Sequence, residues 1–263
     1  MKYSQKLLNL GLACSLFMLG SAVTPAHAFS IPASLESQAG TKLVHIQLRA
    51  AEGNADAQFL LGLMNLAGRF VDQDTEQGLY WVEQAAMQDH IKAQQTIADL
   101  SFEGKLLPRN LGVAEQWYQT LAQQGDPRAH FRLGFIYSAG GDGVERNCGK
   151  ALDQFNQVGD SIALGNVAWI LATCPEEQYR DGSRAVELAL QLLENNANDP
   201  TNLDNLAAGY AEMGEFELAV DTQQKAIEAL KQDPEVAQSD EFIMRLEQYR
   251  QRQAYREVIP LMD

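Results

Sequence analysis

Apolar residues recur along the chain in short stretches of helical spacing that polar turns separate. One such stretch places apolar side chains at the i, i+3, i+4 and i+7 positions of one helix face, at Ala57, Leu60, Leu61 and Met64. Residues 68–74 follow as a polar, glycine-containing segment, which predicts a turn. A second apolar stripe then surrounds Trp81. The pattern therefore predicts a helix, a turn and a second helix.

The same arrangement repeats at a fixed period. Residues 57–62 are matched 36 residues later by residues 93–98, and after another 36 residues by residues 129–134. Trp81 and Trp117 have the same spacing of 36 residues. A period of this length indicates helical hairpins that stack side by side, because one hairpin alone cannot bury its apolar face.

The third unit carries an insertion. Phe155 is the predicted counterpart of the two tryptophans, displaced by two residues, and the glycine-rich loop at 140–143 can hold the extra length. Alanine and glycine at facing positions let the two helices of a hairpin approach closely. Larger side chains are then expected to fill the groove of the next hairpin.

The units match, with departures, the pattern Gly-x-x-x-Ala-x-x-x-Leu-Gly, then a glycine turn, then Ala-x-x-Trp-Tyr-x-x-Ala-Ala. The first unit carries it at Gly53, Ala57, Leu61, Gly62, Tyr80, Trp81, Ala85 and Ala86. This motif resembles the SEL-one-like subfamily of tetratricopeptide repeats. The resemblance implies an all-α fold, a right-handed α-solenoid of helix hairpins. Gly78, where the family has alanine, and Ala98, where it has glycine, depart from the motif and predict altered local packing.

Changes in the pattern along the chain predict five segments. We expect a signal peptide at 1–28, a flexible linker at 29–40, SEL-one-like repeats with an N-terminal cap helix at 41–160, divergent tetratricopeptide repeats at 161–231, and a C-terminal capping helix and tail at 232–263. The terminal helix is predicted over residues 241–257, with a polar outer face as the end of a solenoid requires.

The first residues have the pattern of an export signal. Lys2 and Lys6 precede an uncharged, mostly apolar stretch at 7–23, and a small-x-small pattern ends at Ala28. We expect cleavage after Ala28, a periplasmic or secreted protein, and no membrane insertion after cleavage. An uncleaved N-terminal anchor and a lipoprotein modified at Cys14 are the alternatives.

The net charge of the chain disfavours one class of partner, and its cysteines allow a disulfide. The net charge is −15, and removal of residues 1–28 would change it to −17, since two lysines and no acid are lost. Such a chain repels phosphate, so nucleic acid is not an expected partner. Cys148 and Cys174 are the cysteines left after cleavage. In an oxidising compartment they could form a disulfide, and two buried free thiols are the alternative.

No catalytic constellation stands out. The sequence holds no Gly-x-Ser-x-Gly, His-Glu-x-x-His or phosphate-loop motif, so we expect no enzyme activity, cofactor or metal site. Asp142 lies in a glycine-rich loop but lacks the spaced carboxylates of a calcium loop. Cysteine-rich relatives have been associated with β-lactams and cell-wall material, but they carry a cysteine pair in each repeat, which this chain does not.

The resemblance also implies a binding surface. In tetratricopeptide arrays the first helices of the hairpins line a concave groove, where exposed aromatic, amide and basic side chains suit an extended peptide with an acidic group. The predicted groove residues are Phe59, Lys92, Gln95, Asp99, Arg128, Phe131, Arg132, Phe135, Asn166 and Trp169. The alternative is that the curl of the superhelix or the N-terminal segment covers some of these rings.

Three functional classes follow from these observations. The first is a non-enzymatic module or scaffold of the cell envelope that binds a protein or peptide in the groove. The second is a structural component of an envelope machine, such as a flagellar motor or a secretion apparatus. The third is an enzyme acting on cell-wall material or β-lactams. The partner and the oligomeric state are left open by the sequence.

Overall fold

The computed structural model describes residues 35–231 and 239–256, and over these ranges the chain is a succession of α-helices. The helices are α1 Leu35–Ala51, α2 Ala55–Ala67, α3 Thr75–Ala86, α4 Ile91–Glu103, α5 Leu111–Gln123, α6 Pro127–Ala139, α7 Cys148–Val158, α8 Ser161–Thr173, α9 Gly182–Leu193, α10 Pro200–Glu212, α11 Phe216–Leu230 and α12 Ser239–Arg250. Consecutive helices pack as hairpins, from α2 with α3 to α10 with α11. The prediction of an all-α solenoid is confirmed.

Local hydrogen bonds mark where each first helix of a hairpin begins. A side chain just before the helix accepts a bond from a backbone N–H two or three residues later, which satisfies one of the free donors of the first turn. These capping residues are Asn54, His90, Asp126, Asp160 and Asp199. The first three stand 36 residues apart, so the period of the sequence is also the period of the helix starts.

The second helices α3, α5, α7 and α9 begin in the same way, and they correct the predicted role of Phe155. Phe155 lies eight residues after the cap Asn147, and Tyr118 lies eight residues after the cap Asn110. Trp117 lies seven residues after its cap. Phe155 is therefore the counterpart of Tyr118 rather than of Trp117, because the loop before α7 is one residue longer than its predecessor.

Glycines set how closely the helices of a hairpin approach. A Cβ atom on Gly62 of α2 would lie 2.6 Å from Val82 on α3, and one on Gly78 would lie 2.7 Å from Leu66. In the third unit, a Cβ on Gly134 would lie 2.6 Å from the ring of Phe155. The departure at Gly78 thus allows a closer crossing of α2 and α3 than alanine would permit.

Buried glutamines join one hairpin to the next. The side-chain amide of Gln58 donates to the Ala50 carbonyl at 3.1 Å, and the Gln58 side-chain oxygen accepts from Gln88. At the next junction Gln94 donates to the Ala86 carbonyl at the same distance and accepts from Gln124. The same polar joint is therefore built twice, one repeat apart.

A disulfide connects the third and fourth hairpins. Cys148 begins α7, Cys174 follows the end of α8, and their sulfur atoms are bonded. Both residues are buried. The sequence allowed either a disulfide or two free thiols, and the structure has the disulfide. The bond fixes the end of α8 against the start of α7.

The ends of the described chain differ from expectation. Helix α1 begins at Leu35, so residues 35–40 are helical rather than linker, consistent with the good helix formers at Leu35 and Glu36. Helix α12 ends at Arg250, seven residues before the predicted end at residue 257, and the left-handed backbone of Arg252, with φ of 59°, ends the helical course. The predicted signal peptide lies outside the described residues.

Candidate binding face on the first helices

The first helices present one line of side chains at equivalent positions. These are the residues five and nine positions after the capping residue of α2, α4, α6, α8 and α10. They are Phe59 and Leu63, Gln95 and Asp99, Phe131 and Phe135, Gly165 and Trp169, and Asp204 and Ala208. We call this surface the first-helix face. Six of these residues were predicted from the sequence to line the groove: Phe59, Gln95, Asp99, Phe131, Phe135 and Trp169.

A shared carboxylate holds the middle of the face together. Asp99 on α4 accepts a hydrogen bond from the Tyr118 hydroxyl at 2.7 Å and pairs with Arg128 on α6 at 3.1 Å. Burial, reinforced by the bond to Asp99, raises the pKa of Tyr118 far above its ordinary value. A second bridge, from Gln95 to the capping residue Asp126 at 2.8 Å, also joins α4 to α6. The two helices therefore present these side chains in a fixed arrangement.

Aromatic rings form the adjoining part of α6. Phe131 and Phe135 lie one helical turn apart, with centroids 5.0 Å apart in an edge-to-face arrangement. Both contact the ring of Phe155 beneath them, which is fully buried. The guanidinium of Arg132 lies 4.8 Å from the centroid of Phe102. Phe131 and Phe135 are only half-buried, so apolar ring surface borders the two arginines of α6.

Four predicted residues are not brought into this group, and one of them, Trp169, lies at the far end of the face. Phe59 packs against His90, with ring centroids 4.7 Å apart. Lys92 is exposed at the start of α4, and the amide of Asn166 donates to the Ile162 carbonyl of its own helix. The predicted set is therefore divided, and the part with a defined geometry is the group on α4 and α6.

The far end of the face is covered by the C-terminal part of the chain. Arg245 of α12 lies 5.1 Å from the Trp169 ring and makes two bonds to Asp204, at 2.8 and 2.9 Å. Tyr255 lies against the same tryptophan, with centroids 5.8 Å apart. The alternative of a covered ring thus holds for Trp169, although the cover comes from the C-terminal and not the N-terminal segment.

Sequence reasoning missed Asp204 and Arg245. Both side chains are nearly inaccessible, with relative exposures of 7% and 4%. The sequence did hold one indication of this pair, since Asp204 lies between the buried residues Leu203 and Leu206. A charge that is buried among apolar residues requires a partner. The identity of that partner, 41 residues away, follows only from the fold.

Two groups of the described residues bear on the question of a metal site. Asp142 is paired with Arg109 at 3.5 Å. Within residues 40–231 and 240–256, the sulfur atoms of Cys148 and Cys174 and a carboxylate oxygen of Glu176 come within metal-ligand spacing of one another, but the sulfurs are bonded to each other. Among the helices that the structure describes, none has both the length and the apolar content to cross a bilayer.

Comparisons with known proteins match the first three hairpins as a known repeat. The family model described as the Sel1 repeat matches residues 55–90, 92–126 and 127–153. An uncharacterized protein of Neisseria meningitidis serogroup B is 37% identical over 103 residues, which are 39% of this chain and 21% of that protein. The chain thus matches about a fifth of the length of this relative.

Two solved structures were matched to this chain. A Sel1 repeat protein from Oxalobacter formigenes has a TM-score of 0.50 at 23% identity, covering 72% of this chain and 79% of that one. A protective antigen of uropathogenic Escherichia coli with an SLR fold has a TM-score of 0.47 at 23% identity, covering 72% of this chain and 41% of that one. Sel1 repeat proteins generally mediate protein–protein interaction. Residues 55–153 are therefore three consecutive Sel1 repeats.

Proposed function

We propose that this protein is a non-catalytic binding module of the cell envelope, which holds an extended protein segment carrying an acidic group along the first-helix face. One observation carries the proposal. Arg128 and Arg132 lie one turn apart on α6 beside the half-buried rings of Phe131 and Phe135, on a helix whose position is fixed from both sides.

The chemistry of this group suits a carboxylate next to an apolar side chain. Guanidinium groups bind carboxylates through paired hydrogen bonds, and Arg128 is already oriented by Asp99. The Phe131 and Phe135 rings offer apolar area at a low cost in conformational entropy. Because the helices are held by bridges and a disulfide, little ordering of the protein opposes binding. Basic side chains on this face also stand out in a chain of net charge −15.

The proposed location in the envelope has separate support. The sequence at 1–28 has the pattern of an export signal. A disulfide between Cys148 and Cys174 is stable in an oxidising compartment and rare in a reducing one. The intact mass of protein purified from cells tests this part, since a chain beginning at Phe29 with two hydrogens fewer than the reduced form is expected. A mass that retains residues 1–28 would contradict export by cleavage.

Selection from a random peptide library displayed on phage tests the binding proposal. We expect enriched peptides to combine Asp or Glu with an apolar residue. The double variant Arg128→Ala, Arg132→Ala should bind them at least about tenfold more weakly, which corresponds to about 1.4 kcal/mol. The matched control is Arg184→Ala, Lys225→Ala, because both side chains are exposed on the second helices α9 and α11.

Two results would contradict the proposal. The first is a library that yields no binder of micromolar affinity. The second is a set of binders that lack acidic residues or that bind the Arg128→Ala, Arg132→Ala protein as well as they bind the control. Circular dichroism of each variant must match the unchanged protein, so that a loss of binding is not a loss of fold.

A further inference from the structure

The last described residues turn back onto the first-helix face. After α12 ends, Arg252 adopts a left-handed backbone conformation with φ of 59°. The turn is closed by the Gln253 N–H, which donates to the Gln248 carbonyl at 2.9 Å. The residues that follow have no helical structure and reach from α12 across α10 to α8. We call residues 251–256 the C-terminal arm.

Two side chains at the end of the arm occupy the face. The Tyr255 ring lies against Trp169 of α8, with centroids 5.8 Å apart. The Arg256 guanidinium pairs with the Glu212 carboxylate at the end of α10, and it lies 3.5 Å from the Ala172 carbonyl oxygen of α8. An aromatic residue followed by arginine therefore fits between an indole ring, a carboxylate and a carbonyl oxygen.

This surface would keep its structure if the arm left. Glu212 is also bound by Arg180 at 2.8 Å, and Arg180 is held in turn by the carbonyls of Cys174 and Pro175. Trp169 keeps the guanidinium of Arg245 on its ring. Release of the arm thus leaves no buried carboxylate without a partner.

The arm is held less firmly than the helix before it. The Arg256 side chain is 35% exposed, whereas the Arg245 side chain is 4% exposed and makes two bonds to Asp204. Contacts between partly exposed ions are weak individually. Helix α12 is therefore a fixed part of the solenoid end, whereas the end of the arm is held by one partly exposed ion pair and by the Tyr255 ring, which lies against Trp169 and Arg245 beside the cluster around Tyr249.

We propose that the surface formed by Trp169, Ala172 and Glu212 is a peptide site for an extended segment in which an aromatic residue is followed by arginine. The C-terminal arm is its internal occupant, and a partner with this sequence chemistry displaces it. The inference rests on the proposed function in taking the first-helix face as a binding surface. It adds a second site, of opposite charge preference, that the chain itself regulates. A tethered occupant competes at an effective concentration of about a millimolar or more.

Nuclear magnetic resonance of the full chain tests this inference. The probe is the arm peptide Gln-Arg-Gln-Ala-Tyr-Arg with blocked ends, and the signal is the indole N–H resonance of Trp169, assigned by its loss in Trp169→Phe. In the double variant Tyr255→Ala, Arg256→Ala, we expect the peptide to shift this resonance. The unchanged protein should require at least about tenfold more peptide, because its own arm competes.

The controls keep the inference falsifiable. The peptide with alanine at both of its last positions should shift the resonance in neither protein. Arg256→Ala alone, in which Arg180 still pairs with Glu212, should give an intermediate requirement for peptide and guards against a folding defect in the double variant. The inference is overturned if millimolar arm peptide leaves the resonance unmoved in both variants, or if it acts equally on the variants and the unchanged protein.

The outcome is independent of the test with acidic peptides. That test depends on Arg128 and Arg132 of α6, whereas this one reads Trp169 of α8 with a basic peptide. Failure here leaves the acidic-peptide proposal standing. Failure of the acidic-peptide selection, with a normal response of Trp169 to the arm peptide, would overturn the proposed function and leave this site in place.

Discussion

Replacement of Gly134 by alanine tests the close contact of α6 and α7 directly. The added Cβ would lie 2.6, 2.7 and 2.8 Å from three atoms of the Phe155 ring, whereas carbon atoms in contact ordinarily lie about 3.5–4.0 Å apart. The ring would have to move by about 1 Å. It is fully buried and already touches Phe131 and Phe135 at centroid distances of 5.6 and 5.3 Å, so no space is available on that side.

The magnitude follows from two opposing effects. Overpacking of a filled core costs about 1–3 kcal/mol, and the blocked ring favours the upper end. Alanine in place of glycine inside a helix returns about 1 kcal/mol. We therefore expect Gly134→Ala to lower the free energy of unfolding by about 2 kcal/mol. Gly112→Ala is the control, because its Cβ would meet nothing closer than 3.5 Å, and it should stabilise by up to about 1 kcal/mol.

Urea unfolding followed by circular dichroism measures both variants. A second replacement, Phe155→Leu, removes the ring atoms that the new Cβ would meet, so Gly134→Ala should cost less in that background than alone. The difference between the two costs is the coupling energy of the pair. If Gly134→Ala stabilises the protein as Gly112→Ala does, or if the two sites show no coupling, the helices are not in the contact described here.

Three further predictions concern stability. Replacement of Cys148 and Cys174 by serine should cost about 3.5 kcal/mol by the chain-entropy relation for their separation of 26 residues, and urea unfolding with and without reductant checks it. Burial, reinforced by a bond to Glu115, raises the pKa of Tyr137 to about 12. Since the unfolded chain releases this proton near pH 10, stability should fall between about pH 10 and 12, and less so in Tyr137→Phe. Gln94→Leu removes one bond to the Ala86 carbonyl, which keeps a bond from the Asp89 N–H, and should lower the free energy of unfolding in urea by about 0.5–1.5 kcal/mol, whereas a neutral result would contradict the joint.

The features that the sequence predicted are those fixed by neighbours in the chain. Helix starts depend on a capping side chain and a backbone N–H two or three residues away, so the 36-residue period locates them without a fold. The register of Gln95, Asp99, Phe131 and Phe135 on the first helices follows from the same period. One inserted residue was sufficient to misplace Phe155, because a loop can absorb length at several points.

Contacts between distant residues were beyond the sequence. Nothing in the local pattern pairs Asp204 with Arg245, or turns the chain at Arg252 so that Tyr255 reaches Trp169. Each of these contacts requires the helices to be stacked first. The sequence therefore predicted which side of each first helix forms the face, but not which part of that face the chain covers itself.

The paired glutamine joints make the array extendable. Gln58 and Gln94 each grip the carbonyl of an alanine eight residues earlier, and Ala122 stands where a further joint would need its acceptor. Duplicating residues 91–126 in tandem would supply the donor at the correct spacing. Such a lengthened protein should fold with one more hairpin and a longer first-helix face. Duplication of this segment can therefore change the number of units, because the added hairpin would use the same contacts as the existing ones.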